Sequence, residues 1–283
     1  MFLKLDSDQL AAQANQLRRD VISMVSHAGS GHPAGALGLA DIFASLYFNI
    51  LNHNPKDPYW SRRDMLFVSN GHVAPIVYSA LARSGYFEFS QLGSLRKLGS
   101  SLQGHPERTK LPGIESTSGP LGSGLSQAAG YAYSLHYLDH DSDRQVYCVV
   151  SDGELDEGNS WEAVMFASKY RLGKLTVIVD RNNIQISGKT EQVMPLEDLA
   201  RKWQAFNWHT QIVDGHDIVE VIEASHQAKN VTDHPSVIIA QTIPGKGVDF
   251  MENDYRWHGK APNPEQTEQA LTQLMGKNLE VDR

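Results

Sequence analysis

The stretch that decides the fold is residues 145–188, QVYCVVSDGELDEGNSWEAVMFASKYRLGKLTVIVDRNNIQISG. The apolar run at 146–150 is typical of a buried parallel strand, and a second such run follows at 175–179. Between them the spacing predicts a helix over 160–170, with a buried face formed by Trp161, Val164, Met165 and Ser168. A strand, a crossover helix and a parallel strand are nearly always connected right-handedly, so both strands are predicted to end at one edge of a sheet.

Two polar residues mark the carboxyl ends of these predicted strands: Asp152 follows the first run and Asn182 the second. Open α/β sheets bind their ligands at this edge. A carboxylate and an amide oxygen, with a loop carbonyl nearby, suit Mg²⁺ and leave its other positions to phosphate oxygens and water. Gly153 lets main-chain N–H groups approach a phosphate. Either polar residue alone is more often an ordinary turn residue, but together they favour a metal–diphosphate site.

The composition is that of an acidic globular protein. At 283 residues the chain could form one large α/β domain or two small ones. Its net charge of −8 argues against a general nucleic-acid binder or a protein that binds anionic membranes, although a cleft could still take a phosphorylated substrate. The single cysteine, Cys148, excludes an intrachain disulfide and is expected to be a small core residue.

No segment has the pattern of a membrane anchor or a secretory signal. Residues 1–10 include Asp6 and lack a long apolar core. The most apolar long segment, 33–51, contains Asp41, Asn49 and several glycines, which favour a buried helix over a membrane span. We therefore expect a cytoplasmic protein with no membrane partner.

The rest of the chain alternates between helical and strand patterns, which predicts a doubly wound, mostly parallel sheet flanked by helices, in one α/β domain over 1–283. Further strands are predicted at 65–68, 209–213 and 236–241. Helices are predicted at 7–26, 38–50, 74–83, 89–98, 125–138, 196–207, 218–229 and 261–276, and glycine- and proline-bearing loops at 112–124 and 242–251.

Several motifs resemble the transketolase family, and they occur in the family's order over nearly the whole chain. Asp152-Gly153 followed by Asn182-Asn183 resembles the thiamine diphosphate signature of these enzymes. The others are Ser30-Gly31-His32-Pro33, Ser69-Asn70-Gly71-His72, Gly104-His105-Pro106-Glu107, Ser118-Gly119-Pro120-Leu121-Gly122, Asp214-Gly215-His216-Asp217 and Trp257-His258-Gly259. The resemblance implies the diphosphate-binding (PP-type) domain of the thiamine diphosphate fold.

The resemblance also implies how a cofactor would be held. Mg²⁺, or Ca²⁺ or Mn²⁺ in its place, would be bound by Asp152, Asn182 and the main-chain carbonyl of Ile184, with Gly153 beside the diphosphate. Three further cofactor-binding positions are implied: His72 at the diphosphate, and Gly119 and Leu121 at the aminopyrimidine and thiazolium rings, where the bulk of Leu121 would enforce a bent cofactor.

Histidines matching the family's substrate channel are the expected catalytic residues. They are His32, His105 and His258, and His258 also matches a position that faces the cofactor. Imidazoles suit proton transfer during movement of a two-carbon ketol unit because histidine titrates near neutrality. Glu157 matches an acid that lies near the cofactor at a subunit interface. It could equally be a helix N-terminal acid that the helix dipole favours.

Fused transketolases carry a second, pyrimidine-binding domain, which supplies a glutamate to the aminopyrimidine and much of the substrate phosphate site. This sequence ends before any such domain, so we expect one subunit of a split transketolase with a separately encoded carboxyl-terminal partner in an α2β2 assembly. The expected reaction is ketol transfer between sugar phosphates, of the pentose phosphate pathway type.

Other interpretations of the sequence stay open. The chain could belong to a transketolase for a sulfonated or branched sugar. It could also be half of another thiamine diphosphate enzyme, such as an α subunit of a 2-oxo acid dehydrogenase or a fragment of a deoxyxylulose phosphate synthase. A paralogue that no longer turns over substrate is the remaining alternative.

Overall fold

A computed structural model describes residues 4–140 and 143–276, so the ends of the predicted domain, 1–3 and 277–283, lie outside the described residues. The strands are β1 (Met65–Val68), β2 (Val146–Ser151), β3 (Leu175–Arg181), β4 (Ile184–Gln185), β5 (Gly188–Lys189), β6 (His209–Asp214) and β7 (Ser236–Gln241). A five-stranded sheet has the order β1-β2-β3-β7-β6, and every pairing in it is parallel. Strands β4 and β5 form a separate antiparallel pair.

The described residues form helices before, between and after these strands. They are α1 (Ser7–Ala28), α2 (Pro33–Gly38), α3 (Ala40–Ser45), α4 (Ala74–Ser84), α5 (Ser123–Tyr137), α6 (Gly158–Lys169), α7 (Thr190–Val193), α8 (Leu199–Ala205), α9 (Ile218–Asn230) and α10 (Pro264–Gly276). Helix α1 begins with a capping box, in which Asp6 accepts from the N–H of Gln9 and the Gln9 side chain accepts from the N–H of Asp6.

Apolar residues cover both faces of the sheet, which confirms the doubly wound architecture. On β2, Tyr147 and Val149 belong to the core formed with α1, α4 and α9. Their neighbours Val146, Cys148 and Val150 belong to the opposite core, formed with α5, α6 and α8. This alternation follows from the twofold period of strand side chains. Cys148 is fully buried, as predicted.

Some predicted elements differ from the structure. The predicted helix over 38–50 is divided into α2, α3 and a π-helical turn at Leu46–Ile50, and the predicted helix over 89–98 is a 3₁₀ segment at Phe89–Ser94. The β4–β5 pair and α7 were not predicted. The predicted buried face of α6 is partly wrong, because Met165 is 49% exposed and the small residues Ala163 and Ala167 face the core with Val164.

Within the described ranges, 4–140 and 143–276, no helix combines the length and the apolar character needed to cross a membrane.

Candidate active site

The carboxyl edge of the sheet brings the sequence motifs together around one cavity of about 240 Å³. Its lining includes every predicted site residue except Asp152 and Glu157. The predicted residues are His32, His72, His105, Gly119, Leu121, Gly153, Asn182, Ile184 and His258, and Ser151, Glu154, Gln185 and Ile186 complete the lining. They come from separate segments of the chain, so the fold, and not the local sequence, assembles the cavity.

Asp152 lies at the end of β2, fully buried just outside the cavity lining. Its Oδ2 accepts from Arg181 at 3.0 Å, from the N–H of Asn183 at 2.7 Å and from the hydroxyl of Thr190 at 3.3 Å. Its Oδ1 accepts from the N–H of Gly153 at 2.7 Å. Burial raises the pKa of this carboxyl, and the Arg181 guanidinium opposes that rise. Oδ2 therefore accepts from three donors, whereas Oδ1 has a single main-chain partner.

Asn182 follows β3, on the strand beside β2. Its Nδ2 donates to Asp180 at 2.8 Å, and its Oδ1 accepts from the N–H of Ile184 at 3.0 Å. Asp180 also accepts from the hydroxyl of Thr242. Burial raises the pKa of Asp180 to about 7, and the neighbouring Asp152 adds to this effect. The network fixes which way the Asn182 amide faces.

The oxygen donors at these strand ends fit a hard divalent cation better than a soft one. One carboxylate, one amide oxygen and the Ile184 carbonyl are ligand types that Mg²⁺ accepts together with phosphate oxygens and water. In the part of the chain that the structure describes, no group of three or more His, Cys, Asp or Glu side chains could hold a metal ion. A metal here would therefore depend on these mixed donors and on oxygens from a bound diphosphate.

Glu154 was not predicted from the sequence, yet it anchors one wall of the cavity. It is fully buried and accepts from the Ser69 hydroxyl and from the N–H groups of Gly122 and Ser151. Ser69 in turn accepts from the N–H of Gly124 at 3.0 Å. The carboxylate therefore ties the loop that carries Gly119 and Leu121 to the ends of β1 and β2. The only sequence signal was an acid placed directly after the strand-end Asp-Gly.

Histidines from four segments face one another across the cavity. The His32 ring centroid lies 5.5 Å from His72, 6.2 Å from His105 and 5.5 Å from His258, and His72 lies 4.9 Å from His258. Burial lowers the pKa of each, and it lowers that of His32 to about 4, with further contributions from His258, Arg96 and His105. All of these imidazoles are therefore neutral at pH 7, and each can accept one proton and donate another.

Buried polar atoms without partners also point to a ligand. The side chain of Asn70 is fully buried, and neither its Nδ2 nor its Oδ1 has a hydrogen-bond partner; the same holds for Nδ1 of His32. Such atoms are uncommon in folded proteins and indicate a missing polar group. Next to Asn70, only glycine fits at residue 71, because a Cβ there would lie 2.3 Å from Cβ of Ser118. Of these residues His32 lines the cavity, so its unpartnered Nδ1 fits a site that takes a polar ligand, whereas the glycine at 71 is explained by packing against Ser118.

Glu157, like Asp152, is a predicted cofactor residue that does not line the cavity. It is exposed at the N-cap position of α6, and its side chain makes no capping hydrogen bond. This position is compatible with both predicted roles, an acid at a subunit interface and a helix N-terminal acid.

Comparisons with known proteins agree with this geometry. A family model described as "Transketolase, thiamine diphosphate binding domain" matches residues 9–280. The 6-deoxy-6-sulfo-D-fructose transketolase subunit SqwG of Clostridium sp. (strain MSTE9) is 39% identical over 265 residues, which cover 94% of this chain and 96% of that protein. An apulose-4-phosphate transketolase subunit of Actinobacillus succinogenes is 36% identical over 271 residues, covering 95% of this chain and 97% of that protein.

A solved structure extends the comparison to three dimensions. The transketolase from Campylobacter jejuni superimposes on this chain with a TM-score of 0.91 at 36% sequence identity, over 96% of this chain and 43% of that one. The chain therefore spans nearly the full length of the two bacterial subunits and less than half of the Campylobacter protein.

Proposed function

The chain belongs to the transketolase family, and from that premise we propose that it is the diphosphate-binding subunit of a transketolase whose active site is completed by a second chain. The observation that carries this proposal is the cavity itself. Four neutral histidines, the Asn182 amide and the Gly119–Leu121 loop surround one space at the carboxyl edge of a parallel sheet.

Thiamine diphosphate, when bound, supplies the electron sink that cleavage of the carbon–carbon bond beside a ketose carbonyl requires. Asp152, Asn182 and the Ile184 carbonyl would hold the Mg²⁺ that anchors its diphosphate, with Gly153 and His72 beside the phosphate oxygens. Leu121 and Gly119 would shape the wall against the rings.

The proposed work of His32, His105 and His258 is to bind and move protons on the sugars. A neutral imidazole nitrogen can accept the hydroxyl proton of the donor ketose as its carbon–carbon bond breaks. The opposite nitrogen, which carries a proton, can donate to the aldehyde oxygen of the acceptor as negative charge develops there. Their lowered pKa values keep all of them ready for both tasks at neutral pH.

Subunit-sized relatives support a separate partner chain. The two bacterial transketolase subunits match this chain over 96% and 97% of their lengths. We propose a pyrimidine-binding partner, with two copies of each chain in the assembly. Because one of those relatives is named for a sulfonated sugar and the other for the branched sugar apulose 4-phosphate, a sulfonated or branched donor is the second candidate alongside xylulose 5-phosphate.

A ketol-transfer assay tests the proposal. Xylulose 5-phosphate and ribose 5-phosphate would be supplied with thiamine diphosphate and Mg²⁺ to the chain alone and to the chain mixed with the product of an adjacent gene. Transfer in the mixture alone would support the two-chain enzyme. Substantial transfer by the isolated chain would contradict the partner requirement. If neither sample shows transfer, the assay is repeated with 6-deoxy-6-sulfo-D-fructose as donor. Transfer from this sugar would support the second candidate, and its absence would favour a different thiamine enzyme.

A further inference from the structure

A second pocket, of about 710 Å³, opens next to the histidine cavity and shares His105 with it. Its lining holds the cationic side chains Arg96, Lys97 and Lys110 together with hydroxyls of Ser30 and Ser100, and no carboxylate of the described residues lines it. We call it the basic pocket. A concentration of positive charge is unexpected on a chain of net charge −8, so a local anion is the natural reason for it.

Arg96 is held beside His105 by the local backbone. Residue 96 has a φ of 59°, and its N–H donates to the carbonyl of Leu102 at 2.8 Å, which closes the loop between them. The guanidinium lies against the main chain of Gly104, where a Cβ would come within 3.1 Å of the guanidinium carbon. Because residue 104 has no side chain, the charged group can occupy this position next to His105.

The cations of the basic pocket are available to a ligand. Across the described residues, neither the guanidinium of Arg96 nor the ammonium of Lys110 has a hydrogen bond or an ion pair with the protein. Lys97 contacts Nε2 of His27 at 2.6 Å and has no carboxylate partner among the described residues. The residues are exposed, so an incoming anion would displace only water.

The charge of Arg96 also reaches the histidine cavity. Burial is the main reason that the pKa values of His32 and His105 are lowered, and the Arg96 guanidinium lowers both further. The basic pocket and the histidine cavity are thus electrostatically coupled as well as joined at His105.

We propose that the basic pocket binds the anionic end group, a phosphate or a sulfonate, of the open-chain sugar whose carbonyl end lies among His32, His105 and His258. This inference rests on the proposed function and adds this chain's own residues to a substrate phosphate site otherwise expected on the partner. A planar guanidinium matches two oxygens of a tetrahedral oxyanion, and Lys110 and the serine hydroxyls supply further donors. Phosphate and sulfonate share this chemistry and differ in charge.

Direct binding to the full chain tests the inference without relying on turnover. Calorimetric titrations would use D-ribose 5-phosphate, 6-deoxy-6-sulfo-D-fructose and neutral D-ribose. We expect the anionic sugars to bind with an affinity that falls as salt is added, and D-ribose to bind at least about tenfold more weakly. Whichever of the two anionic sugars binds more tightly identifies phosphate or sulfonate as the end group. Failure of both anionic sugars to bind wild-type chain at millimolar concentration overturns the inference.

Three variants locate the site. Arg96→Gln and Lys110→Gln should each weaken binding of the anionic sugars about fivefold, the effect of losing one exposed charge pair. Gly104→Ala keeps every charge but displaces the guanidinium, so it should weaken binding as Arg96→Gln does. Lys229→Gln, which removes an exposed lysine at the far end of α9, is the matched control and should have no effect. Equal affinity of wild type, Arg96→Gln and Lys110→Gln would refute the proposed site.

Kinetics in the assembled complex separate this inference from the proposed function. Arg96→Gln should raise KM for the anionic sugar about fivefold and leave kcat nearly unchanged, because it removes binding that substrate and transition state share. An unchanged KM in a complex that transfers ketol groups would overturn the basic pocket but leave the proposed function standing. Arg96-dependent sugar binding in a complex that transfers no ketol group would support the basic pocket and overturn the proposed function.

Discussion

Replacing Glu154 with glutamine tests whether this buried carboxylate holds the cavity wall together. The carboxylate offers two acceptor oxygens. Oε1 accepts from the N–H of Gly122 and the Ser69 hydroxyl, and Oε2 accepts from the N–H of Ser151. Glutamine has the same shape but only one acceptor oxygen. In either orientation its NH₂ group therefore faces a main-chain N–H that can no longer find an acceptor.

The expected loss of stability follows from the one main-chain N–H that is left without an acceptor. A buried donor that loses its acceptor costs about 1–3 kcal/mol. Part of this loss is offset because the variant no longer buries a charge, and burial of that charge raises the pKa of Glu154 in the wild type. We expect the free energy of unfolding to fall by about 2 kcal/mol, which corresponds to a decrease of about 4–8 °C in Tm for a domain of this size class.

Urea unfolding of the wild type and the variant, followed by tryptophan fluorescence, would measure this change. The matched control is Glu162→Gln, which makes the same chemical change on the outer side of α6 and should shift the free energy by less than about 0.5 kcal/mol. If Glu154→Gln is as stable as Glu162→Gln, then the three hydrogen bonds do not anchor the loop, and the reasoning about this wall of the cavity is wrong.

Three further predictions concern the proposed ligands and the histidines. Asp152→Ala should weaken Mg²⁺-dependent binding of thiamine diphosphate to the assembled complex at least about tenfold, because it removes the only carboxylate of the donor set; unchanged binding in a fluorescence titration would reject the metal assignment. His105→Ala and His258→Ala should each lower kcat by about two to four orders of magnitude, and normal turnover in the ketol-transfer assay would remove their proton-transfer roles. The third prediction follows from the pKa of His32, lowered from 6.5 to about 4, so that between these pH values the unfolded chain binds more protons than the folded one. The free energy of unfolding should therefore decrease as the pH falls from 6.5 to 4, and His32→Gln should make that decrease shallower in urea titrations at several pH values.

Local patterns predicted the parts of the site that depend on a single strand end. Asp152 and Asn182 lie where the sequence placed them, since the end of an apolar run also marks the end of a strand. The same reasoning could not show that Arg181 and Thr190 would occupy one oxygen of Asp152, because these contacts depend on how the chain turns after β3. It also misplaced Met165, since a buried face made of alanines gives only a weak apolar periodicity.

The meeting of the histidines could not be derived from spacing. His32 precedes α2, His72 follows β1, His105 lies in a loop before α5 and His258 follows β7. In the strand order β1-β2-β3-β7-β6 every strand is parallel, so the segments after β1 and β7, which carry His72 and His258, leave the sheet at the same edge. His32 and His105 reach that edge from segments outside the sheet, which only the folded chain shows. The resemblance to a known family supplied these residues at the sequence level, and the structure supplies the physical reason for their proximity.

Exposed apolar side chains near the mouth of the cavity favour a second chain at this surface. Ile186 lines the cavity and is 77% exposed, and Val193 and Met194, at the end of α7, are 43% and 57% exposed. The β4–β5 pair connects them, because a Cβ at Gly188 would be 3.4 Å from a methyl group of Val193. Exposed apolar side chains beside a ligand cavity fit a surface that the proposed partner chain would cover. A partner at this rim would bury them and close the cavity over the bound cofactor, which strengthens every polar contact inside it by excluding water.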